Sequence, residues 1–332
     1  MPPACSKQTM AQKSELLDLY KTMLRIRRVE EALSEKHDQK IIQNPLYLYI
    51  GQEAIAAGVS YWLKPNDSVF SNHRAHGHYL GKGGDLNKLI AELFHSRTGC
   101  CKGQGGSMFL ADTKVGFTGA TPITGGTVPL ALGSALSAVV NNQDRVSVVY
   151  FGDGAFEEGV FHEAMNFAKL KNLPIIFVCE NNTYSGYIHI RERQPKRQIS
   201  AVAEAHGIAA YSGDGNDVLN VSTIAQYAVQ QAREGAGPQF MEFNTHRWRE
   251  HCGPYFDDDL GYRQGGELEY WLQRCPIKNT LNQLLENSTL SEADNHKIET
   301  AIHTEIEKAF EHAMRSVEEQ QEEQPTGSSD AA

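Results

Sequence analysis

Apolar and polar positions along the chain follow two periods, and the alternation between them predicts the elements. From 13 to 40, Leu16, Leu17, Tyr20, Met23, Leu24 and Leu33 recur among charged residues at helical spacing, which reads as an amphipathic helix. Pro45 turns the chain, and a second helix is expected from about Gln52. Residues 68–71 read as a short strand, followed by the basic, histidine-rich loop "NHRAHGHYLGK". "DLNKLIAELF" is helical, with Asp85 as its cap. Residues 96–127 are a long segment rich in Gly, Thr and Ser, and loops of that length in compact domains commonly carry function. Order then returns. "VPLALGSALSAVV" is an apolar helix, and "RVSVVYF" and "PIIFVCE" are strands with no polar face, separated by the helix "EGVFHEAMNFAKLK". "IAAY" and "PQFMEF" supply two further strands around the helix "DVLNVSTIAQYAVQQARE". Strands buried on both faces and alternating with helices predict an α/β fold: a doubly wound, mostly parallel sheet with helices on both faces.

On this pattern the chain divides into an N-terminal helical arm (1–44), a sheet domain (45–275), C-terminal helices (276–318) and a tail (319–332) whose polar composition predicts disorder. No internal repeat appears. The net charge of −10 argues against a nucleic-acid partner. No stretch of 18 apolar residues exists, so no membrane-spanning helix is expected. The N-terminus lacks the apolar region of a secretory signal. Cysteines stand at 5, 100, 101, 179, 252 and 275 without a Cys-x-x-Cys pair, which argues against a zinc site and fits free thiols in a reducing cytoplasm.

The candidate chemistry lies where two strands end. Gly152-Asp153-Gly154 leaves one, and Asn181-Asn182 leaves the next, with 155–180 between them, about one helix plus one strand. That spacing brings adjacent strand ends together, where ligands of parallel sheets bind. Magnesium takes oxygen ligands, usually one or two carboxylates or carbonyls plus phosphate and water. Asp153 offers a carboxylate and Asn182 an amide oxygen. The flanking glycines let backbone amides approach a phosphate, and a helix starting near Glu157 adds its positive end. A second Gly-Asp-Gly, 213–215, is an internal control. No Asn-Asn follows it at the corresponding distance, so this copy reads as a turn capping the helix from Asp217.

Gly-Asp-Gly followed by Asn-Asn at this distance is the thiamine diphosphate signature. From about 15 to 275 the chain resembles the alpha subunits of heteromeric thiamine-dependent 2-oxoacid dehydrogenases, including the pyruvate and acetoin enzymes. The matching segments include "YIGQEAIAAG", "HRAHGHYLGKGG", "CKGQGGSM", "FHEAMNFA", "LPIIFVCENN" and "HRWREHCGP". The "HRAHGH" loop leans the likeness toward the acetoin type. The resemblance implies magnesium held by the side chains of Asp153 and Asn182 and by the Tyr184 carbonyl. It implies that Arg74 holds the diphosphate, beside His73, and that the backbone of Gly152, Gly154 and Ala155 faces it. Pro122, Ile123 and Thr124 stand where the family touches the aminopyrimidine. His251 stands as the substrate-side proton donor, and Arg247 and Arg249 as residues that hold a carboxylate or the loop itself. His76 and His78 are open between site and scaffold. Cys252 replaces a serine that some relatives phosphorylate. Glu53 reads as a local helix-start residue, because the resemblance takes the activating glutamate from a separate beta subunit.

Several residues depart from the family pattern. Tyr47 replaces an active-site histidine of the pyruvate type, Pro122 a glycine, Thr124 a valine, and Glu157-Glu158 an Asn-Gln pair. These departures leave cofactor binding intact and bear on substrate choice. The chain is too short to hold the pyrimidine-binding domain as well, so the resemblance implies an alpha2-beta2 heterotetramer. The expected reaction cleaves a 2-oxo acid or acyloin and passes the acyl or hydroxyalkyl group to the lipoyl arm of an acyltransferase. The competing readings are a thiamine-dependent carboligase or decarboxylase using a free aldehyde, and a non-catalytic cofactor-binding subunit.

Overall fold

Successive residues of the apolar strands fall on opposite sides of one sheet. Val148, Tyr150, Ile176 and Val178 join one buried cluster, while Val149, Phe151, Ile175 and Phe177 join a second. A period of two is strand geometry, and two cores require helices on both faces.

The computed structural model describes residues 10–323. Helices α1 (Met10–Asp38) and α2 (Glu53–Ser60) lead into β1 (Ser68–Ser71). Next come α3 (His76–Gly81), α4 (Leu86–Leu93), β2 (Phe117–Ala120), α5 (Thr127–Val140) and β3 (Ser147–Gly152). After α6 (Gly159–Leu170) and β4 (Ile175–Asn181), a small hairpin of β5 (Tyr184–Ser185) and β6 (Ile188–His189) runs into α7 (Ile190–Arg193). The sheet is completed through α8 (Ile199–Ala205), β7 (Ala209–Asp214), α9 (Val218–Arg233) and β8 (Gln239–Asn244). Helices α10 (Glu267–Gln273), α11 (Pro276–Glu286) and α12 (Glu292–Glu322) follow.

The six-stranded sheet has the order β2-β1-β3-β4-β8-β7, and every neighbouring pair is parallel. Residues of α1, α2 and α9 fill the core on one face; residues of α5, α6 and α8 fill the other. Gly152 pairs with Glu180 in register, and Asn181 with Asn244. The Gly-Asp-Gly turn and Asn-Asn therefore leave the same edge side by side.

Both expected caps form: Asp85 accepts from the Asn87 amide at 2.8 Å, and Asp217 accepts from the amides of Leu219 and Asn220. In the second Gly-Asp-Gly, Asp214 pairs with Arg274 in the turn before α9. Other expectations change. Part of the histidine-rich loop is α3, packed so closely that a Cβ on Gly77 would lie 2.1 Å from the Tyr49 ring. The segment 96–127 contains β2, whose "FTGA" has too few apolar residues to show a period. Residues of α1 and α12 lie in the same core cluster as β3 and β4, so the expected arm and C-terminal helices share one interior with the sheet. Helix α12 continues to Glu322, so 319–322 are helical where disorder is expected, because Ser316 on its inner face still packs against Ser96 and Thr98. The rest of that tail, from 324, lies outside the described residues.

Candidate functional site

Five strand ends open onto one cavity. Its walls include Asn72, His73 and Arg74 after β1, Thr121–Gly125 after β2, Gly152, Gly154 and Ala155 after β3, and Asn182 and Tyr184 after β4, closed by Arg247 and His251 after β8. Of the residues expected to hold the cofactor or its metal, all but Asp153 line it, as does His251. Asp153 sits beneath the turn and is 1% exposed.

The acidic pole is short of partners. Asp153 Oδ1 is buried and accepts no hydrogen bond, while Oδ2 accepts from the Arg193 guanidinium. Burial raises the Asp153 pKa above the usual carboxylate value, and Arg193 opposes part of that rise. Asn182 donates to Gln52 Oε1 at 2.9 Å, and its oxygen accepts from the Tyr184 amide at 3.2 Å. The Tyr184 hydroxyl donates outward to Glu267 at 2.7 Å.

The basic pole is short of an anion. Arg74 is 5% exposed and donates only to carbonyl oxygens, of Leu48 at 2.6 Å and His251 at 3.1 Å. Among the described residues no carboxylate forms an ion pair with it. Burial, reinforced by Arg247, pushes its pKa down to about 9. Arg247 donates to the Tyr262 hydroxyl and the Gly186 carbonyl, approaches Asp257 at 3.5 Å, and leaves Nη1 without a partner. A buried guanidinium held by neutral oxygens, as in Arg74, favours an incoming anion, and its planar donors suit phosphate.

Between the poles stands a neutral aromatic group. Tyr47 packs edge-on against His73 and His251, at ring separations of 4.7 and 5.5 Å, and the two imidazoles are 5.2 Å apart. Burial first, then the charge of Arg74, lowers His73 to about 2 and His251 to about 4. His251, expected as a proton donor, therefore carries an uncharged ring at pH 7. Burial and a hydrogen bond with the Cys252 thiol raise Tyr47, so its hydroxyl keeps its proton. Ile123 stands on the rim, 69% exposed.

Several motif residues are structural. Glu53 binds Arg27 through both oxygens, at 2.6 and 2.9 Å, and accepts from the Gly51 amide. His76 spans Glu30 and Ser107, and His78 spans Ser71 and Glu180, so both rings are fully used inside the protein. Arg249 stacks 3.9 Å over Phe256, away from the cavity. Sequence reasoning did not single out Gln52, Glu180 or Arg193. Gln52 lies beside Glu53 in the quoted "YIGQEAIAAG" segment and Glu180 in "CENN", but Arg193 had no local signal.

Parallel strands that end together on a polar cavity define an α/β protein whose ligand lies beyond the carboxyl edge of the sheet. The chain belongs to the dehydrogenase E1 component family, whose profile matches residues 21–325. Membership implies thiamine diphosphate as cofactor. The chain is 38% identical over 298 residues to the alpha subunit of acetoin:2,6-dichlorophenolindophenol oxidoreductase of Bacillus subtilis, covering 90% of this chain and 88% of the relative. It is 36% identical over 328 residues to the pyruvate dehydrogenase E1 component alpha subunit of Porphyra purpurea, covering 96% and 94%. The corresponding subunit of Zymomonas mobilis is 36% identical over 307 residues, covering 92% and 86%.

The residues present fit the cofactor. The lone oxygen of Asp153 can take a cation, the anion-free Arg74 a diphosphate, and no atom stands within 4 Å of where a Cβ on Gly152 would lie.

Proposed function

We propose that the chain is the alpha subunit of a thiamine-diphosphate-dependent dehydrogenase for a 2-oxo acid or acyloin, working with a separate beta subunit in an alpha2-beta2 heterotetramer. One observation carries this reading: a buried carboxylate oxygen without a donor and a buried guanidinium without an anion belong to the same strand-end site. They are complementary to a divalent cation and a diphosphate respectively. Magnesium is assigned to the side chains of Asp153 and Asn182 and the carbonyl of Tyr184. Arg74 holds the diphosphate, with His73 beside it and the backbone of Gly152, Gly154 and Ala155 facing it. Pro122, Ile123 and Thr124 form the wall for the pyrimidine ring.

When bound, the cofactor supplies a carbanion that attacks a carbonyl and stores the resulting electron pair. This chain's residues anchor, orient and manage protons. The Asp153–Asn182 edge fixes the tail. Arg74 and Arg247 offset its charge in a site where water is scarce, so each interaction is stronger than in solvent. His251 presents a neutral imidazole to the substrate side and holds or donates a proton there. Tyr47 crowds the same space and narrows the choice of substrate.

The product group passes to a lipoyl-bearing acyltransferase. We place the protein in the cytoplasm, in keeping with the free thiols of Cys100, Cys101, Cys179, Cys252 and Cys275. No helix among the described residues is long and apolar enough to cross a membrane. A second reading, a carboligase with a free aldehyde acceptor, is favoured by Tyr47, Pro122 and Thr124 all lining the cavity.

Calorimetry on the assembled alpha–beta complex tests the proposal. Thiamine diphosphate affinity in Mg2+ is expected to fall by about two orders of magnitude in Asp153→Ala, the loss of a charged ligand being worth about 3 kcal/mol. Unchanged affinity in both Asp153→Ala and Asn182→Ala overturns it. Product analysis with lipoamide or an aldehyde as acceptor separates the two reactions.

A further inference from the structure

Asp153 has a counter-ion within its own chain. Arg193, the last residue of α7, donates from Nη2 to Asp153 Oδ2 and from Nη1 to Glu157 Oε1. Its side chain is only 9% exposed. Gln194 donates from Nε2 to the Asp153 carbonyl and to Glu157 Oε1, both at 3.0 Å. The hairpin β5–β6 brings these residues there. The Ile190 amide donates to the Thr183 carbonyl at 2.7 Å, and the Gln194 amide to the Ile190 carbonyl at 2.8 Å. Thr183 takes a left-handed φ of 66° to start the turn. The segment lies directly on the Gly-Asp-Gly turn: a Cβ on Gly154 would meet Ser185 Oγ at 2.4 Å and Arg193 Nη1 at 3.3 Å.

A buried carboxylate without a counter-charge is strongly unfavourable, and Arg193 supplies that charge. A divalent ion on Asp153 supplies it too. Two cations on one buried carboxylate repel each other at short range, where solvent screens them poorly. Glu157 then matters, because it gives the guanidinium a second anchor that does not require Asp153.

Resting on the cation-site reading above, we propose that Arg193 is an exchangeable counter-ion of that site: it holds Asp153 until a divalent ion binds, then withdraws from that carboxylate, and so raises the ion concentration at which the subunit loads. Binding becomes an exchange of one cation for another. Its apparent affinity is reduced by the strength of the Arg193–Asp153 contact.

Mn2+ is the probe, titrated into the assembled complex at saturating thiamine diphosphate, with bound ion read from loss of the free-ion electron paramagnetic signal. Arg193→Gln is expected to bind Mn2+ about tenfold tighter, the worth of one modest ion pair. Arg193→Lys, which keeps the charge, is expected to remain near wild type. The melting temperature of Arg193→Gln is expected to be lower than wild type without the ion and to rise more on adding it. Unchanged or weaker Mn2+ affinity in Arg193→Gln overturns the inference. Asp153→Ala keeps the two readings apart. If it loses bound Mn2+ while Arg193→Gln behaves as wild type, only the exchange fails. If it binds Mn2+ normally, the cation-site reading fails with it.

Discussion

At the scale of the residue, the site is governed by charge left unpaired in poorly solvated surroundings. His251 is held near 4 by burial, Arg74 and Arg247. An anion that neutralises the two guanidiniums removes both charge contributions that lower it, while Asp257 still raises it, so the His251 pKa must rise on anion binding. With labelled histidine, the nuclear magnetic resonance titration midpoint is expected to move up by about one unit or more on adding pyrophosphate; a fixed midpoint would contradict the anion site. The same depression has a stability consequence. A histidine with a lowered folded pKa contributes stability that is fully present above its ordinary value near 6.5 and is lost as pH falls toward the folded value. For His251 the window runs from 6.5 to about 4, while His73 and His246, both lowered to about 2, extend it further into acid. Thermal melts of the isolated chain are expected to fall steadily across that range. Replacing His251 by alanine should lower turnover of the complex by about 10²–10⁴-fold, the usual worth of a positioned proton donor. Cofactor affinity should change little, because Arg74 contacts the His251 backbone carbonyl, which alanine retains.

At the scale of the element, buried carboxylates organise what the sheet does not. Glu92, at the end of α4, accepts four backbone amides from the following loop: Cys101 at 2.7 Å, Gly103 at 2.9 Å, Gly105 at 2.6 Å and Gly106 at 3.3 Å. That loop ends at Ser107, which touches both the Tyr47 amide and His76. Glu92→Ala leaves those donors unsatisfied and is expected to cost about 3 kcal/mol or more, measured by urea denaturation, with new protease cleavage between 99 and 107. The contrast is the α1–α12 contact, where Arg28 meets Glu299 at 2.8 Å with both side chains at least 30% exposed. Arg28→Ala should cost no more than about 1 kcal/mol, since solvent screens such a pair.

At the scale of the whole molecule, the cavity is open on one side. Ile123 and Tyr187 stand exposed near its mouth, where the proposed beta subunit would cover them. The isolated chain is therefore expected to show no turnover and to bind thiamine diphosphate in Mg2+ at least about tenfold more weakly than the complex, each tenfold being about 1.4 kcal/mol. Adding the beta subunit should restore both. Turnover by the chain alone would argue against a shared site.

Sequence order by itself pointed to the parallel sheet, since β3 and β4 carry apolar side chains on both faces and would expose them to water unless helices covered both. It also put Asp153 and Asn182 at neighbouring strand ends, because one helix and one strand return the chain to the adjacent edge. It separated the two Gly-Asp-Gly turns by the same logic. Only the tertiary structure decided which charged residues are scaffold. Glu53, His76 and His78 look chemical in sequence, but partners distant in the chain use up their polar atoms: Arg27, Glu30, Ser107 and Glu180. It also decided that His251 is neutral, and it brought Arg193, 40 residues along the chain, onto Asp153. Period and spacing record which backbone returns where. Burial and pairing depend on side chains meeting across elements, and no local pattern encodes that.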